Sequence, residues 1–180
     1  MRTKTKHTII ALIFALLLVL SFAFDNQIIN AVQNARTPSS DAFFNIFLFI
    51  ENGFIFYPLA VIATLVILLL AKNRGKITKY IVSAAAAAII TLVLKLIVAR
   101  HRPDMTSDSS FPSGHTSFVF TSLFFFNNKL TKIIWLILSC IFAFTRVWFN
   151  LHYPSDIVFG AALGFYIPFL VNFFFRRAGK

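Results

Sequence analysis

The sequence has few acidic residues and only one cysteine. Among 180 residues there are six Asp and Glu against 17 Lys and Arg, and charged residues make up 13% of the chain. A typical soluble domain has about 25%. The single cysteine, Cys140, can form no intramolecular disulfide and no cysteine metal cluster. These shortages exclude an ordinary soluble domain and a disulfide-stabilised scaffold. Cys140 is predicted to be a buried apolar filler.

Apolar residues are abundant and make up 58% of the chain. Because a transmembrane helix needs about 20 mostly apolar residues, the sequence predicts an all-α, polytopic membrane protein, with a single domain over residues 1–180 and six transmembrane helices. The six spans are placed at His7–Phe24, Phe54–Ala71, Ile77–Ala99, His115–Phe126, Ile133–Phe149 and Ile157–Phe175. The fourth of these is short, and it is expected to extend to about Asn128.

The first apolar stretch is open to two interpretations. It follows basic residues, as the apolar part of a signal peptide does, but no convincing small-residue cleavage site follows it. An uncleaved first span therefore fits better. The next segment, Asp25–Asp41, is predicted to be a polar connection that ends in a helix-start signal at Thr37–Asp41. Ala42–Ile50 is too short to cross alone, and Glu51-Asn52-Gly53 is predicted to break it from the second span.

The positive charges are unevenly distributed. In a six-span arrangement, twelve of the 17 lie on one side, which the positive-inside rule identifies as the cytoplasm. Both termini are then cytoplasmic in a cell membrane. Topology and anionic lipids account for these charges, so nucleic acid is not an expected partner. The twelve are Arg2, Lys4, Lys6, Lys72, Arg74, Lys76, Lys79, Lys129, Lys132, Arg176, Arg177 and Lys180.

Three polar stretches interrupt the apolar sequence, at residues 95–103, 112–115 and 145–156. They contain three of the four histidines, and all three are predicted on the outer face. Ionisable groups beside apolar spans are costly to place, so their presence indicates a function.

The first stretch contains Lys95 and Arg102, seven residues apart and so close to two helical turns. If the helix continues to Pro103, both cations project from the same side and could hold an anion. Alternatively they extend to the membrane interface, as Arg100 is expected to do.

The second stretch, Pro112–His115, opens the fourth span. The Ser113 hydroxyl and free N–H groups at a helix start, including that of Gly114, favour an anion. His115 could protonate a leaving oxygen. The alternative is a serine cap beside an incidental histidine.

The third stretch contains Arg146, whose guanidinium can bind phosphoryl oxygens in a bidentate manner. His152 and Asp156 are spaced i, i+4 and would share a face if both begin the sixth helix. A carboxylate on one imidazole nitrogen raises the basicity of the other, which suits a histidine nucleophile. Alone, the pair could equally be a structural hydrogen bond.

A zinc site is the main alternative for these side chains. However, no HExxH or close-spaced ligand motif supports it, and the cations at 95, 102 and 146 favour an anion over a dication. No metal or other cofactor is expected. The candidate ligands would be His101, Asp104, Asp108, His115, His152 and Asp156.

The three stretches together resemble the signature of the type 2 phosphatidic acid phosphatase superfamily, which reads K-x6-R-P, P-S-G-H and S-R-x5-H-x3-D. All three blocks occur in order, and the one departure is Thr145 in place of the usual Ser. The likeness is to the membrane lipid phosphatase branch, including bacterial undecaprenyl pyrophosphate phosphatases.

The resemblance implies roles for these residues. His152, oriented by Asp156, would attack phosphorus to give a phosphohistidine. His115 would protonate the leaving oxygen, and no metal would be needed. The phosphoryl group would be held by Lys95, Arg102, Ser113, Gly114 and Arg146.

The expected substrate is a membrane lipid phosphate or pyrophosphate, foremost a polyprenyl pyrophosphate. Phosphatidate, phosphatidylglycerophosphate and lipid A phosphate are alternatives. Two other classes stay open: an enzyme of soluble phosphoesters or a haloperoxidase on the same scaffold, and a non-catalytic lipid-binding or transport protein. The sequence does not determine the oligomeric state.

Overall fold

A computed structural model of the chain describes residues 2–50 and 53–178, with side chains for residues 8–50 and 55–178. Over these residues the chain forms helices and no strand, which confirms the prediction of an all-α protein. Glu51 and Asn52 of the predicted break, and Lys180, lie outside the described residues. The helices are α1 (Arg2–Asn34), α2 (Pro38–Ile50), α3 (Gly53–Leu70), α4 (Arg74–Val98), α5 (Gly114–Leu123), α6 (Lys129–Trp148) and α7 (Pro154–Ala178).

Four of the described helices are long and apolar enough to cross a membrane: α1 from Thr8 onward, α4, α6 and α7. The pair of α2 and α3 meets the same criterion only together, and it is bent by 73° at its break. Helix α5 has 10 residues, about 15 Å, which is too short alone. Length and composition therefore give four candidate spans, or five if the bent pair is one span, instead of six.

Helix α1 continues through most of the segment predicted to be a polar connection. It ends at Asn34, beyond the predicted end at Phe24. The reason is that the first polar residue, Asp25, finds partners inside the protein: it is 4% exposed and is paired with Arg100 at 2.8 Å. A charge that is satisfied in the helix does not need to leave it.

The helix-start signal after α1 is confirmed, because α2 begins at Pro38. The Ser40 hydroxyl accepts a hydrogen bond from the Thr37 N–H at 2.9 Å, and the Thr37 hydroxyl accepts one from the Ser40 N–H at 3.2 Å. The helix packs on α6, where Phe44 and Trp148 have ring centroids 4.6 Å apart.

Cys140 is exposed on α6, so the prediction that it is buried is wrong. It shares its side of the helix with the exposed apolar residues Ile133, Leu136 and Ile137, at spacings of about one or two turns. This side of α6 faces away from the core. The small size of a cysteine side chain suits either side of the helix, so it did not show that Cys140 lies on the exposed side.

Helix α5 lies between α3, α4, α6 and α7, and six of its ten residues are buried. It packs most closely on α7, where Gly160 and Gly164 remove side chains from the contact. A Cβ at Gly160 would lie 2.7 Å from the Ser113 carbonyl oxygen, and one at Gly164 would overlap the Ser117 carbonyl oxygen. This four-residue spacing of small residues is a common way to bring membrane helices together. It holds the start of α5 beside the start of α7.

We expect Gly164→Leu to disrupt this packing, with a loss of about 1–3 kcal/mol in the free energy of unfolding, because backbone atoms of α5 leave no room for the side chain. Thermal unfolding in detergent would measure it. Gly75→Ala is the matched control, since nothing lies within 4 Å of a Cβ there. Equal unfolding temperatures for both variants would contradict the close α5–α7 contact.

Candidate active site

Lys95 and Arg102 do not lie on one continuous helix, so this condition of the sequence prediction is not met. Helix α4 ends at Val98 because Ala99 adopts a left-handed conformation with φ 44°, and its N–H bonds to the Lys95 carbonyl. Arg102 belongs to the following loop, where its N–H donates to the Ser107 carbonyl at 2.9 Å. The loop nevertheless brings Arg102 within electrostatic range of Lys95.

The Lys95 side chain is tied to the same loop, since its Nζ donates to the Ser109 carbonyl oxygen. The Arg102 side chain has an unpaired donor: its buried Nε has no hydrogen-bond partner among the described residues. A buried donor of this kind is costly unless a ligand satisfies it.

The Pro112–His115 stretch forms the predicted helix start. Ser113 is the N-cap of α5, and its hydroxyl accepts from the Thr116 N–H. Gly114 opens the helix in close contact with α3, because a Cβ on it would lie 3.0 Å from the Tyr57 hydroxyl. The first N–H groups of a helix are donors without intrahelical acceptors, so this end of α5 suits an anion.

His115 packs against two adjacent aromatic rings of α3. Its ring is stacked on Tyr57, with centroids 4.9 Å apart and planes at 29°, and lies 4.7 Å from the Phe56 ring. These two aromatic residues were not among the sequence candidates. The stacked Tyr57 ring and the tilted Phe56 ring limit the imidazole to few orientations.

Arg146 occupies the last turn of α6 and is 7% exposed. Its carbonyl oxygen accepts from the backbone N–H groups of Leu151 and His152, at 2.9 and 3.2 Å. The side chain is within electrostatic range of Tyr57, which in turn stacks on His115. Arg146 therefore contacts His152 through its backbone, and its side chain lies within electrostatic range of the ring that stacks on His115.

His152 and Asp156 are adjacent, as the sequence predicted, but they do not both lie in the helix. Because α7 begins at Pro154, His152 precedes the helix and only Asp156 lies in its first turn. The His152 Nδ1 is 3.4 Å from Asp156 Oδ2, and both side chains are buried. The same carboxylate oxygen accepts the Tyr153 N–H at 2.8 Å, which fixes the turn between the two residues.

Burial lowers the pKa of His152 to about 4. Asp156 acts in the opposite direction, and the charges of Lys95 and Arg102 lower the pKa further. The sequence predicted that the carboxylate would make this imidazole more basic, but the desolvation outweighs it. The imidazole is consequently neutral at pH 7, with a nitrogen lone pair available.

Arg100 was expected to extend to the interface, and this prediction is wrong. Its guanidinium donates to Asp156 Oδ1 at 2.9 Å and to Asp25 Oδ2 at 2.8 Å. The Ser110 hydroxyl also donates to Asp156, at Oδ2. The scarcity of acids was the available signal, because a lone Asp next to an apolar span needs a cationic partner.

The candidate zinc ligands are distributed over separate interactions. His101 and Asp108 form an exposed pair at 2.6 Å, and Asp104 accepts from Thr106 within the loop. Over the described residues, no group of three or more His, Cys, Asp and Glu side chains could hold a metal ion.

The fold is similar to two solved structures. A PAP2-type phosphatidylglycerolphosphate phosphatase from Bacillus subtilis superposes with a TM-score of 0.70 and 24% identity, over 91% of this chain and 94% of that one. Aquifex aeolicus LpxE superposes with a TM-score of 0.68 and 22% identity, over 82% and 94%. At these identities the likeness concerns the fold.

Two curated proteins are related in sequence. The bacitracin transport permease protein BcrC of Bacillus licheniformis is 30% identical over 106 residues, 52% of each chain. The undecaprenyl-diphosphatase of Sulfolobus acidocaldarius is 29% identical over 119 residues, 58% of each chain. The chain thus spans about half the length of the curated relatives it matches.

The family assignment rests on a longer match. The profile of the PAP2 superfamily matches residues 76–180, more than half of the chain, and this range includes all three polar stretches. The resemblance inferred from those stretches is confirmed, and the chain belongs to the PAP2 superfamily.

Proposed function

We propose that this protein is a metal-independent membrane phosphatase that hydrolyses a lipid phosphate or pyrophosphate through a phosphohistidine. The observation that carries the proposal is the environment of His152: a buried imidazole, neutral at pH 7, next to the Asp156 carboxylate and within range of two cations. A neutral nucleophile beside positive charge suits attack on an anionic phosphoryl group, since phosphoryl transfer depends chiefly on positioning and charge neutralisation.

In the first step, His152 Nε2 attacks phosphorus while its Nδ1–H faces Asp156. The bond between phosphorus and the leaving oxygen breaks, and His115 gives that oxygen a proton. The phosphoryl oxygens are held by the three cations, by the Ser113 hydroxyl and by the Gly114 N–H. The cations are Lys95, Arg102 and Arg146.

In the second step, a water molecule attacks the phosphohistidine. His115, now neutral, takes a proton from the water as the P–N bond breaks. Inorganic phosphate leaves, and both histidines return to their starting protonation states. Neither step requires a metal ion.

A lipid substrate is supported by an apolar groove of about 680 Å³ between α3, α4 and α5. On α4 its lining runs from Ala87 and Ala88 through Leu92 to Lys95, a rise of about 12 Å. A hydrocarbon chain lying in the groove would have its phosphorylated end at Lys95 and at Gly114, which also lines the groove.

We propose a polyprenyl pyrophosphate as the first substrate to test, in line with the name of the relative from Sulfolobus acidocaldarius. Phosphatidylglycerophosphate, phosphatidate and lipid A phosphate are the alternatives. The name of the relative from Bacillus licheniformis favours one other function, transport without hydrolysis, which an assay of phosphate release separates from the first.

We also propose that the chain crosses the cell membrane six times, with α3 and α5 as the second and fourth crossings. Helix α5 can be shorter than a usual span because it is surrounded by other helices. Both termini would be cytoplasmic and the site would lie on the outer face, as the basic residues indicate.

The proposal predicts release of phosphate by the purified protein in detergent. The substrates to compare are undecaprenyl pyrophosphate, phosphatidate, phosphatidylglycerophosphate and a water-soluble phosphate ester, each with and without a chelator. We expect turnover of a lipid, foremost the pyrophosphate, and no effect of the chelator. Release from none of them would favour transport, and a complete loss with chelator that zinc reverses would support the metal alternative.

The groove gives a second comparison with the same assay. Ala88→Trp would fill part of the groove, so the KM for the lipid should rise while turnover of the soluble ester stays the same. The control is Val93→Trp, at an exposed position about 140° around α4 from Ala88 and outside the groove lining. Equal effects of Ala88→Trp on both substrates would contradict the assignment of the groove to the lipid chain.

A further inference from the structure

We propose that Arg100 and Asp25 are positioning residues for the catalytic pair, and that α1 thereby supports the active site. This inference rests on the proposed role of His152 as nucleophile. It concerns an arginine inside the first polar stretch and an aspartate far in sequence from all three stretches, neither of which contacts His152 in any described interaction.

The guanidinium of Arg100 bridges two carboxylates from different helices. One Nη donates to Asp156 Oδ1 at 2.9 Å and to the Ser155 hydroxyl at 2.7 Å, and the other donates to Asp25 Oδ2 at 2.8 Å. Asp25 also accepts the Ser155 N–H at 2.9 Å. Both carboxylates are buried, at 4% and 0% exposure, so the arginine supplies the positive charge that their burial requires.

The two oxygens of Asp156 have different partners. Oδ1 accepts from Arg100, while Oδ2 accepts from the Ser110 hydroxyl and the Tyr153 N–H and faces His152 Nδ1. Arg100 therefore holds Oδ1 on the side away from the imidazole, and together with Ser110 and Tyr153 it fixes the rotation of the carboxylate such that Oδ2 points at the imidazole. A carboxylate free to rotate would present its oxygens to the imidazole only part of the time.

Asp25 keeps Arg100 in this position. The guanidinium carries the same charge as the proposed phosphate-binding residues, and without a second carboxylate it could turn toward an incoming phosphate. The rings of Tyr153 and Phe22 are also close to it, at 3.9 and 5.4 Å from the guanidinium carbon. Phe22 and Asp25 belong to α1, which thus contributes an aromatic contact and a carboxylate to the arginine.

The test is a series of variants in the phosphate-release assay with a lipid substrate. Arg100→Gln should lower kcat by about 10- to 100-fold and leave KM within about twofold. Arg100→Lys should recover part of the loss, because a single ammonium can still reach a carboxylate. Inhibition by inorganic phosphate should not change, since Arg100 does not hold the phosphoryl group.

Asp25→Asn should lower kcat in the same direction by a smaller factor. Combined with Arg100→Gln it should add little, because residues that act through one another are not additive. The control is Lys79→Gln, which removes the hydrogen bond from Lys79 Nζ to Asn172 Oδ1 at 3.0 Å, 16 residues before Lys95 on α4 and so about 24 Å along the helix. Its kcat should equal that of the unmodified protein.

Three results would overturn the inference. One is an unchanged kcat per folded molecule in Arg100→Gln, even with a lower unfolding temperature, since the bridge would then be structural only. Another is weaker phosphate inhibition in step with the lost activity, which would make Arg100 a binding residue. The third is full additivity of the two substitutions. If Arg100→Gln does not fold, Arg100→Lys and Asp25→Asn carry the same comparison.

The nucleophile is tested separately. Substantial turnover by His152→Ala would remove the proposed mechanism, and this inference with it. An inactive His152→Ala together with an unchanged Arg100→Gln would defeat this inference alone.

Discussion

Replacement of His152 by alanine is expected to reduce phosphate release by on the order of 10⁴-fold or more, the scale seen when an enzyme loses its covalent nucleophile. The reason is that the proposed reaction proceeds through a bond between this imidazole and phosphorus. The remaining cations and the start of α5 can still bind the substrate, so the KM should change far less than kcat.

The fold of His152→Ala should be retained, because the carboxylate next to it keeps its hydrogen bonds to Arg100, Ser110 and Tyr153. Thermal unfolding in detergent checks this. His101→Ala is the matched control, since His101 is 62% exposed in its side chain and pairs with Asp108 in the loop; its activity should be normal. Substantial residual turnover by His152→Ala would refute the nucleophile assignment.

The protonation of His152 adds a pH dependence to this prediction. Its pKa of about 4 in the folded protein lies below the ordinary value of about 6.5, so the imidazole stays neutral as the pH falls from 6.5 toward 4. We expect loss of the nucleophile only near pH 4. An acidic limb of kcat/KM near pH 6.5 that tracks this residue would contradict the buried, neutral imidazole.

The same shift has a consequence for stability. Between pH 6.5 and 4 the unfolded chain binds a proton at His152 and the folded chain does not, so the contribution of this residue to stability falls as the pH is lowered through that window.

The sequence predicted the helical class and the main site elements because their signals are local. The Ser113 cap, the proximity of His152 to Asp156 and the place of Arg146 in the last turn of α6 depend on residues a few positions apart. Such short-range patterns are set by helix geometry and capping, which do not require knowledge of the tertiary fold.

The errors arose where distant segments meet. Asp25 looked like the start of a loop because its partner, Arg100, is 75 positions away, and the guanidinium looked like an interface anchor for the same reason. The six predicted spans are likewise not all recovered from helix length and composition, because α5 is short and is enclosed by neighbouring helices, a circumstance that hydropathy along the chain does not reveal. The α5–α7 contact did have a local signal, in the spacing of Gly160 and Gly164.

Substitution of Arg146 by lysine is expected to lower kcat/KM by about 10²–10³-fold, although the charge is kept. A guanidinium offers two parallel N–H groups that match two phosphoryl oxygens, whereas an ammonium is a point charge on a flexible chain. Arg146 is also placed rigidly, since it is 7% exposed and its carbonyl holds the backbone of His152. A shorter reach from this fixed position would leave the phosphoryl group poorly oriented.

The measurement compares Arg146→Lys with Arg146→Ala, and with Arg177→Lys as a control at an arginine in the last turn of α7, at the opposite end of that helix from Asp156. If the bidentate geometry is decisive, the lysine variant should lie close to the alanine variant in kcat/KM, and both should show weaker inhibition by inorganic phosphate. Near-normal activity of Arg146→Lys would mean that charge alone suffices at this position. The positioning of the phosphoryl group would then have to come from Arg102 and the start of α5. Arg102 offers a buried Nε that has no partner among the described residues, and α5 offers its first N–H groups as donors.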